Sequence, residues 1–207
     1  MTTTNTMKHI YKAGAQPDSP TLLLLHGTGG TENDLVGLGE LIAPGAAMLG
    51  VRGNVSENGM PRFFRRLAEG VFDEEDLIAR TAELGAFVDA AAAEYGFDRN
   101  NVYALGYSNG ANIAASLMFH QANVFKGAIL HHPMVPLRGL ELPNLYGLPV
   151  FIGAGENDPI VPRRETEELA SLLSGAGADV KTHWERQGHQ LTRTEALAAA
   201  AWFKAQA

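Results

Sequence analysis

Cysteine is absent from the 207 residues. Its absence excludes a disulfide framework, a thiolate nucleophile and Cys-ligated zinc or iron–sulfur centres. Any side-chain nucleophile must be oxygen or nitrogen. Positive charge is also scarce, with 16 Lys and Arg against 23 Asp and Glu and a net charge of −7. Nucleic-acid affinity rests on cations that neutralise phosphates, so nucleic acid is not an expected partner. Long apolar runs are missing. Stretches such as Leu22–Leu25 and Ala196–Phe203 fall far short of the ~18 to 20 residues that span a bilayer. Residues 1–8 place no apolar segment behind a basic one, so no signal peptide is expected. The chain reads as soluble and cytoplasmic, with no membrane partner, and the sequon Asn54-Val55-Ser56 carries no weight without an export signal.

What is present is an apolar fraction of 45%, enough for one sizeable core and one domain over residues 1–207. Glycine, 23 of 207 residues, is spread in turn-like pairs that punctuate elements. Short β-type runs alternate with helical ones, the pattern of an α/β fold with a mostly parallel central sheet and helices on both faces. Strands are predicted at residues 21–25, 46–51, 101–106, 127–131, 150–154 and 179–185, apolar enough for burial on both faces. Helices are predicted at 34–42, 74–95, 109–120, 163–174 and 193–206. The second has an apolar stripe through Leu77, Thr81, Leu84, Val88, Ala91 and Tyr95, with acidic residues at its start and Gly96 as its stop. Thr192 and Glu195 have capping-box spacing at the start of the last. Residues 52–73 resist assignment.

Gly106-Tyr107-Ser108-Asn109-Gly110 is a G-x-S-x-G string between a predicted strand and a predicted helix. A serine hydroxyl becomes a useful nucleophile when a sharp strand-to-helix turn exposes it and small neighbours admit a base. The base must be an imidazole, held in the right tautomer by a carboxylate, in the order Ser, acid, His. Glu156 and Asp158 follow the strand at 150–154, where open α/β sheets build their sites. Asp158 is preferred because Pro159 and Pro162 stiffen the loop beyond it; the lesser alternative is that it simply caps the following helix or turn. Among seven histidines, His189 lies on a loop at the same sheet end. His183 reads as a structural strand residue, and His131-His132 is set aside as a metal pair because adjacent strand residues point to opposite faces. No metal is expected. Charge developing on a carbonyl oxygen under attack would need backbone N–H donors. Asn109, next after the serine, supplies one, and Thr28 in the turn Leu25-His26-Gly27-Thr28-Gly29-Gly30 supplies the other. Both would act through the backbone, leaving their side chains weakly constrained. A phosphate-binding loop is disfavoured, since neither P-loop nor GxGxxG spacing occurs.

Four motifs in one order resemble the α/β-hydrolase fold, and within it the small phospholipase/carboxylesterase family: Leu24 to Gly30, Gly106 to Asn112, Gly155 to Pro162, and Gly188-His189. The resemblance covers nearly the whole chain. It implies Ser108 as nucleophile, His189 as base, Asp158 as orienting acid, and Thr28 and Asn109 as oxyanion donors. It also implies a lid-free hydrolase of small esters, and a homodimer as an expected assembly. Tyr107, Asn109 and Thr28 depart from the acyl-protein thioesterase branch, which carries Phe, Gln and a bulky apolar residue there. Residues 52–54 and 58–66 look more like a bacterial carboxylesterase subgroup, so protein depalmitoylation is disfavoured. Absent cysteine sets the chain apart from cysteine-nucleophile relatives such as dienelactone hydrolases.

The implied reaction is hydrolysis of small or short-chain carboxylic esters through an acyl-enzyme, without a cofactor. Only 50 positions separate Ser108 from Asp158, too few for a cap domain. Met60, Phe63, Phe64 and Phe72 could wall an acyl pocket or belong to ordinary core. The neighbouring alternative is a thioesterase or lysophospholipase. A non-catalytic, hydrolase-like domain that binds a small molecule is the alternative of another class.

Overall fold

The computed structural model describes residues 7–206. The leader reading of residues 1–8 therefore lies mostly outside the described residues. Along the chain run β1 (His9–Lys12), β2 (Thr21–Leu25), α1 (Val36–Ile42), β3 (Ala47–Val51), β4 (Val55–Glu57), β5 (Met60–Arg62), β6 (Arg66–Ala68) and β7 (Val71–Phe72). There follow α2 (Glu74–Tyr95), β8 (Val102–Tyr107), α3 (Asn109–His120), β9 (Gly127–His131), β10 (Pro149–Gly155), α4 (Arg163–Gly175), β11 (Asp179–Glu185) and α5 (Arg193–Lys204).

Seven strands form one sheet in the order β1-β3-β2-β8-β9-β10-β11. Only β1 is antiparallel, against β3. The continuous apolar runs are explained by two cores. Leu23 and Leu25 of β2 join residues of α2, α3 and α4 on one face, while Leu22 and Leu24 join residues of α1 and α5 on the other. A strand covered on both faces has no polar side to alternate with. No helix among the described residues is long and apolar enough to cross a membrane.

α2 keeps the predicted bounds: the Asp73 side chain accepts from the N–H of Asp76, and Gly96 closes the helix at φ 74°. Two features depart from the sequence reading. β1 is short and half-exposed, so it has little apolar signal. Residues 52–73 fold into two hairpins, β4–β5 and β6–β7. The first turns through Asn58-Gly59, both at positive φ, and an Asn-Gly pair is a hairpin signal that was available in the sequence.

Candidate active site

Ser108 stands between β8 and α3 at φ 50° and ψ −111°. This is left-handed territory that a non-glycine residue occupies at a cost of about 1–3 kcal/mol, and such strain collects at functional sites. The surroundings enforce it. The N–H of Ser108 donates to the carbonyl of His131 at 2.8 Å, and its carbonyl accepts from Asn112 as α3 begins. The second flanking glycine is obligatory for space, since a Cβ at Gly110 would overlap the carbonyl of Leu25.

The bend brings Ser108 Oγ to 2.9 Å from Nε2 of His189, whose Nδ1 lies 2.7 Å from Oδ2 of Asp158. His189 precedes α5, and its carbonyl accepts from the Tyr107 hydroxyl at 2.7 Å. Asp158 follows β10. Its Oδ1 accepts from the N–H groups of Ile160 and Val161 at 2.8 and 2.9 Å. One oxygen therefore ties the turn while the other faces the imidazole. Burial raises its pKa, but the Val161 N–H, the His189 imidazole and the Ile160 N–H outweigh that and hold it below the usual carboxylate range. Glu156, the other carboxylate on this turn, is exposed.

Thr28 and Asn109 border the same cavity as Ser108 and His189. Among the described residues, neither backbone N–H donates to a protein acceptor. Their side chains are more constrained than expected. Asn109 is buried, and its Oδ1 accepts from the N–H of Phe63 at 2.7 Å; Thr28 Oγ1 accepts from Arg62 Nη1 at 2.6 Å. Both latch the hairpin excursion onto the site, a long-range role invisible in the local motif. His26 braces the same loop. Its Nε2 accepts from the N–H of Gly53 at 3.0 Å, which leaves Nδ1 to donate to the carbonyl of Gly27 at 2.6 Å. Burial pushes its pKa down, so the neutral tautomer persists.

The cavity holds about 380 Å³ and is open to solvent. Met60 and Phe72 line it together with Met134, Ile160 and Val161, and Arg62 and Arg66 form part of the wall. Phe63 and Phe64 do not line it. They are 1% and 0% exposed in the core, Phe63 against the ring of His26 and Phe64 edge-on to Phe72. Both follow directly on the first hairpin and are buried there. Arg66 Nε donates to Glu57 Oε1 at 2.9 Å.

The sequence did not reveal His132 and Glu195. Strand alternation would send His131 and His132 to opposite faces, but His132 lies just beyond β9 at φ 53°. The left-handed turn swings it back, and both rings meet Glu195: His131 Nδ1 at 2.5 Å from Oε1 and His132 Nε2 at 3.0 Å from Oε2. His132 Nδ1 also lies 3.1 Å from Oδ2 of Asp158. Only half of the expected capping box forms. Thr192 Oγ1 accepts from the N–H of Glu195 at 3.1 Å, while the Glu195 carboxylate turns inward. Ligand-type atoms of His132, Asp158 and His189 lie within 4.8 Å of one another. Both imidazoles direct Nδ1 at the same Asp158 oxygen, which makes the group a hydrogen-bond network and leaves no lone pairs converging on a common centre.

Comparison with known proteins agrees with this architecture. Residues 57–202 match the model of the dienelactone hydrolase family. MhqD of Bacillus subtilis (strain 168), whose name assigns it provisionally to the hydrolases, is 60% identical over 198 residues, covering 96% of this chain and 98% of its own. The crystal structure of the Bacillus cereus carboxylesterase superposes with a TM-score of 0.96 at 61% identity, over 97% of this chain and 95% of that one. YahD, solved with malic acid, has a TM-score of 0.93 at 34% identity, over 98% and 100% of the two chains. The family match spans the elbow and its serine, so absent cysteine marks a difference of side chain within this family and not a boundary around it. With its α/β-hydrolase sheet and a serine at the elbow, the chain belongs to the dienelactone hydrolase family.

Proposed function

We propose that the protein is a serine carboxylesterase acting on small or short-chain carboxylic esters through an acyl-enzyme. The observation that carries this reading is the unbroken chain from Ser108 Oγ through both nitrogens of His189 to Asp158 Oδ2, with steps of 2.9 and 2.7 Å. Ser108 Oγ bonds to the ester carbonyl carbon as its proton passes to His189 Nε2. Charge accumulates on the carbonyl oxygen, where the N–H groups of Thr28 and Asn109 are the donors available. His189 returns the proton to the departing alkoxide, and water then attacks the acyl-enzyme by the same path. Asp158 keeps the Nδ1–H tautomer and favours the imidazolium as it forms. The open cavity of about 380 Å³, at the small end of ligand pockets, supports small substrates. The likeness to the Bacillus cereus carboxylesterase supports an ester as the bond cleaved.

Ser108→Ala is expected to lower turnover of p-nitrophenyl acetate by on the order of 10⁴ or more with folding intact. A serine-directed fluorophosphonate is expected to label Ser108, located by mass spectrometry. Near-normal turnover by the variant, or an adduct elsewhere, would exclude Ser108 as nucleophile. A panel of esters and thioesters of increasing acyl length separates the short-chain esterase from a thioesterase or lysophospholipase.

A further inference from the structure

Behind Asp158 lies a buried polar cluster larger than a triad needs. Glu195, His131 and His132 are 0%, 0% and 1% exposed. The ring of His132 has a carboxylate oxygen at each nitrogen, Asp158 Oδ2 at 3.1 Å from Nδ1 and Glu195 Oε2 at 3.0 Å from Nε2. An ionised carboxylate only accepts, so a ring facing two of them must donate twice and is an imidazolium. Asp158 Oδ2 is thus shared between two imidazoles, one facing Ser108 and one facing Glu195.

We propose that His132 is a positioning residue for the esterase reaction: its imidazolium, held between Asp158 and Glu195, clamps the triad carboxylate in the place from which it meets His189. This rests on the triad proposed above. The consequence is an enzyme whose activity reaches lower pH than it would without the charge on His132.

The groups facing His132 come from every element around it. Asp158 arrives from the loop after β10 and Glu195 from the first turn of α5. His189 lies with its ring centroid 5.3 Å away, and Tyr107, at the end of β8, with its ring at 6.0 Å. His131 adjoins it on β9 and occupies the other oxygen of Glu195. Burial would strip the proton from His132, but the hydrogen bonds and charges of Glu195 and Asp158 outweigh it and raise its pKa. Glu195 is held down to about 2, with burial opposing and both histidines favouring its ionised form. The left-handed backbone at His132 is strain of the kind that persists where surroundings over-determine it, here the two carboxylates.

The test is His132→Gln, which keeps hydrogen-bonding capacity and removes the charge. The ring centroids of His132 and His189 are 5.3 Å apart, close enough for that charge to oppose a second positive charge at the triad. The acid limb of the kcat/KM profile on p-nitrophenyl acetate is therefore expected to move to higher pH. A residue that merely staples α5 to the sheet would alter thermal stability or the plateau and leave the limb in place. An unmoved limb, or one moved down, overturns the proposal. Should the variant fail to fold, the wild-type enzyme labelled with ¹⁵N in its histidine rings decides. His132 is expected to keep both ring protons to higher pH than an ordinary imidazole, and loss of one at or below the ordinary value overturns the proposal. Ser108→Ala in the same assay separates the two failures. If it stays active the triad itself is wrong, whereas an inactive Ser108→Ala beside an unmoved His132→Gln limb refutes only the role of His132.

Discussion

Replacing Glu195 with Gln is expected to flatten the acid side of the stability curve. The Glu195 carboxylate is fully buried, and the two histidines hold its pKa near 2 against an ordinary 4.5. A carboxylate more acidic in the folded chain contributes stability that is complete above the unfolded value and is lost as pH falls through the folded one. The difference between 4.5 and about 2 corresponds to roughly 3 kcal/mol, lost between about pH 5 and pH 2. Gln has no such titration. It also offers one acceptor where both neighbours donate, so its amide NH₂ meets a ring N–H. Breaking a buried pair in this way costs about 3–5 kcal/mol near neutrality. Urea unfolding followed by the fluorescence of Trp184 and Trp202, repeated from pH 7 downwards, measures both effects. The variant starts lower and declines less steeply, with a residual slope from Asp158, whose pKa is also depressed. His132 contributes with the opposite sign: its raised pKa gives stability that is present below its unfolded value of about 6.5 and lost as pH rises through the folded one. Parallel curves for wild type and Glu195→Gln between pH 5 and 2 would refute the ionised, histidine-bridging Glu195.

The aromatic cluster separates by function. Phe64→Ala, in the core, is expected to cost about 3–5 kcal/mol and lower Tm by roughly 6–20 °C. Met60→Ala, at the 40%-exposed cavity wall, is expected to leave Tm nearly unchanged while altering acyl-length preference; calorimetry and an ester series check the pair, and an unaltered preference would remove Met60 from the pocket. His26→Ala strands the buried N–H of Gly53 and frees the loop bearing Thr28. Its kcat on p-nitrophenyl acetate is expected to fall about 10- to 100-fold with KM little changed, and an unchanged kcat would show that His26 does not position that loop.

The local periodicities and the order of short motifs were legible without coordinates. Apolar runs such as Leu22–Leu25, the capped stripe of α2 and the Gly106–Gly110 elbow each depend on neighbours a few residues away, so spacing alone specifies the parallel sheet and the places of Ser108, Asp158 and His189. Other features rest on partners far along the chain. Asn109 and Thr28 looked free because their backbone was the visible part, yet their side chains are held by Phe63 and Arg62 from the hairpin excursion. Phe63 and Phe72 are both aromatic, and only packing sends one to the core and the other to the cavity. Glu195 sat in a sound capping pattern, but its carboxylate found a better site inside, against two histidines 63 and 64 positions away. Alternation failed at His132 because a single backbone turn at φ 53° reverses the direction of the side chain. Sequence by itself determined the buried parallel strands, the helices between them and the motif residues at their ends, because each of these depends on near neighbours. Tertiary structure alone decided which polar groups become buried together, because burial turns proximity between distant residues into shared protons and shifted charge.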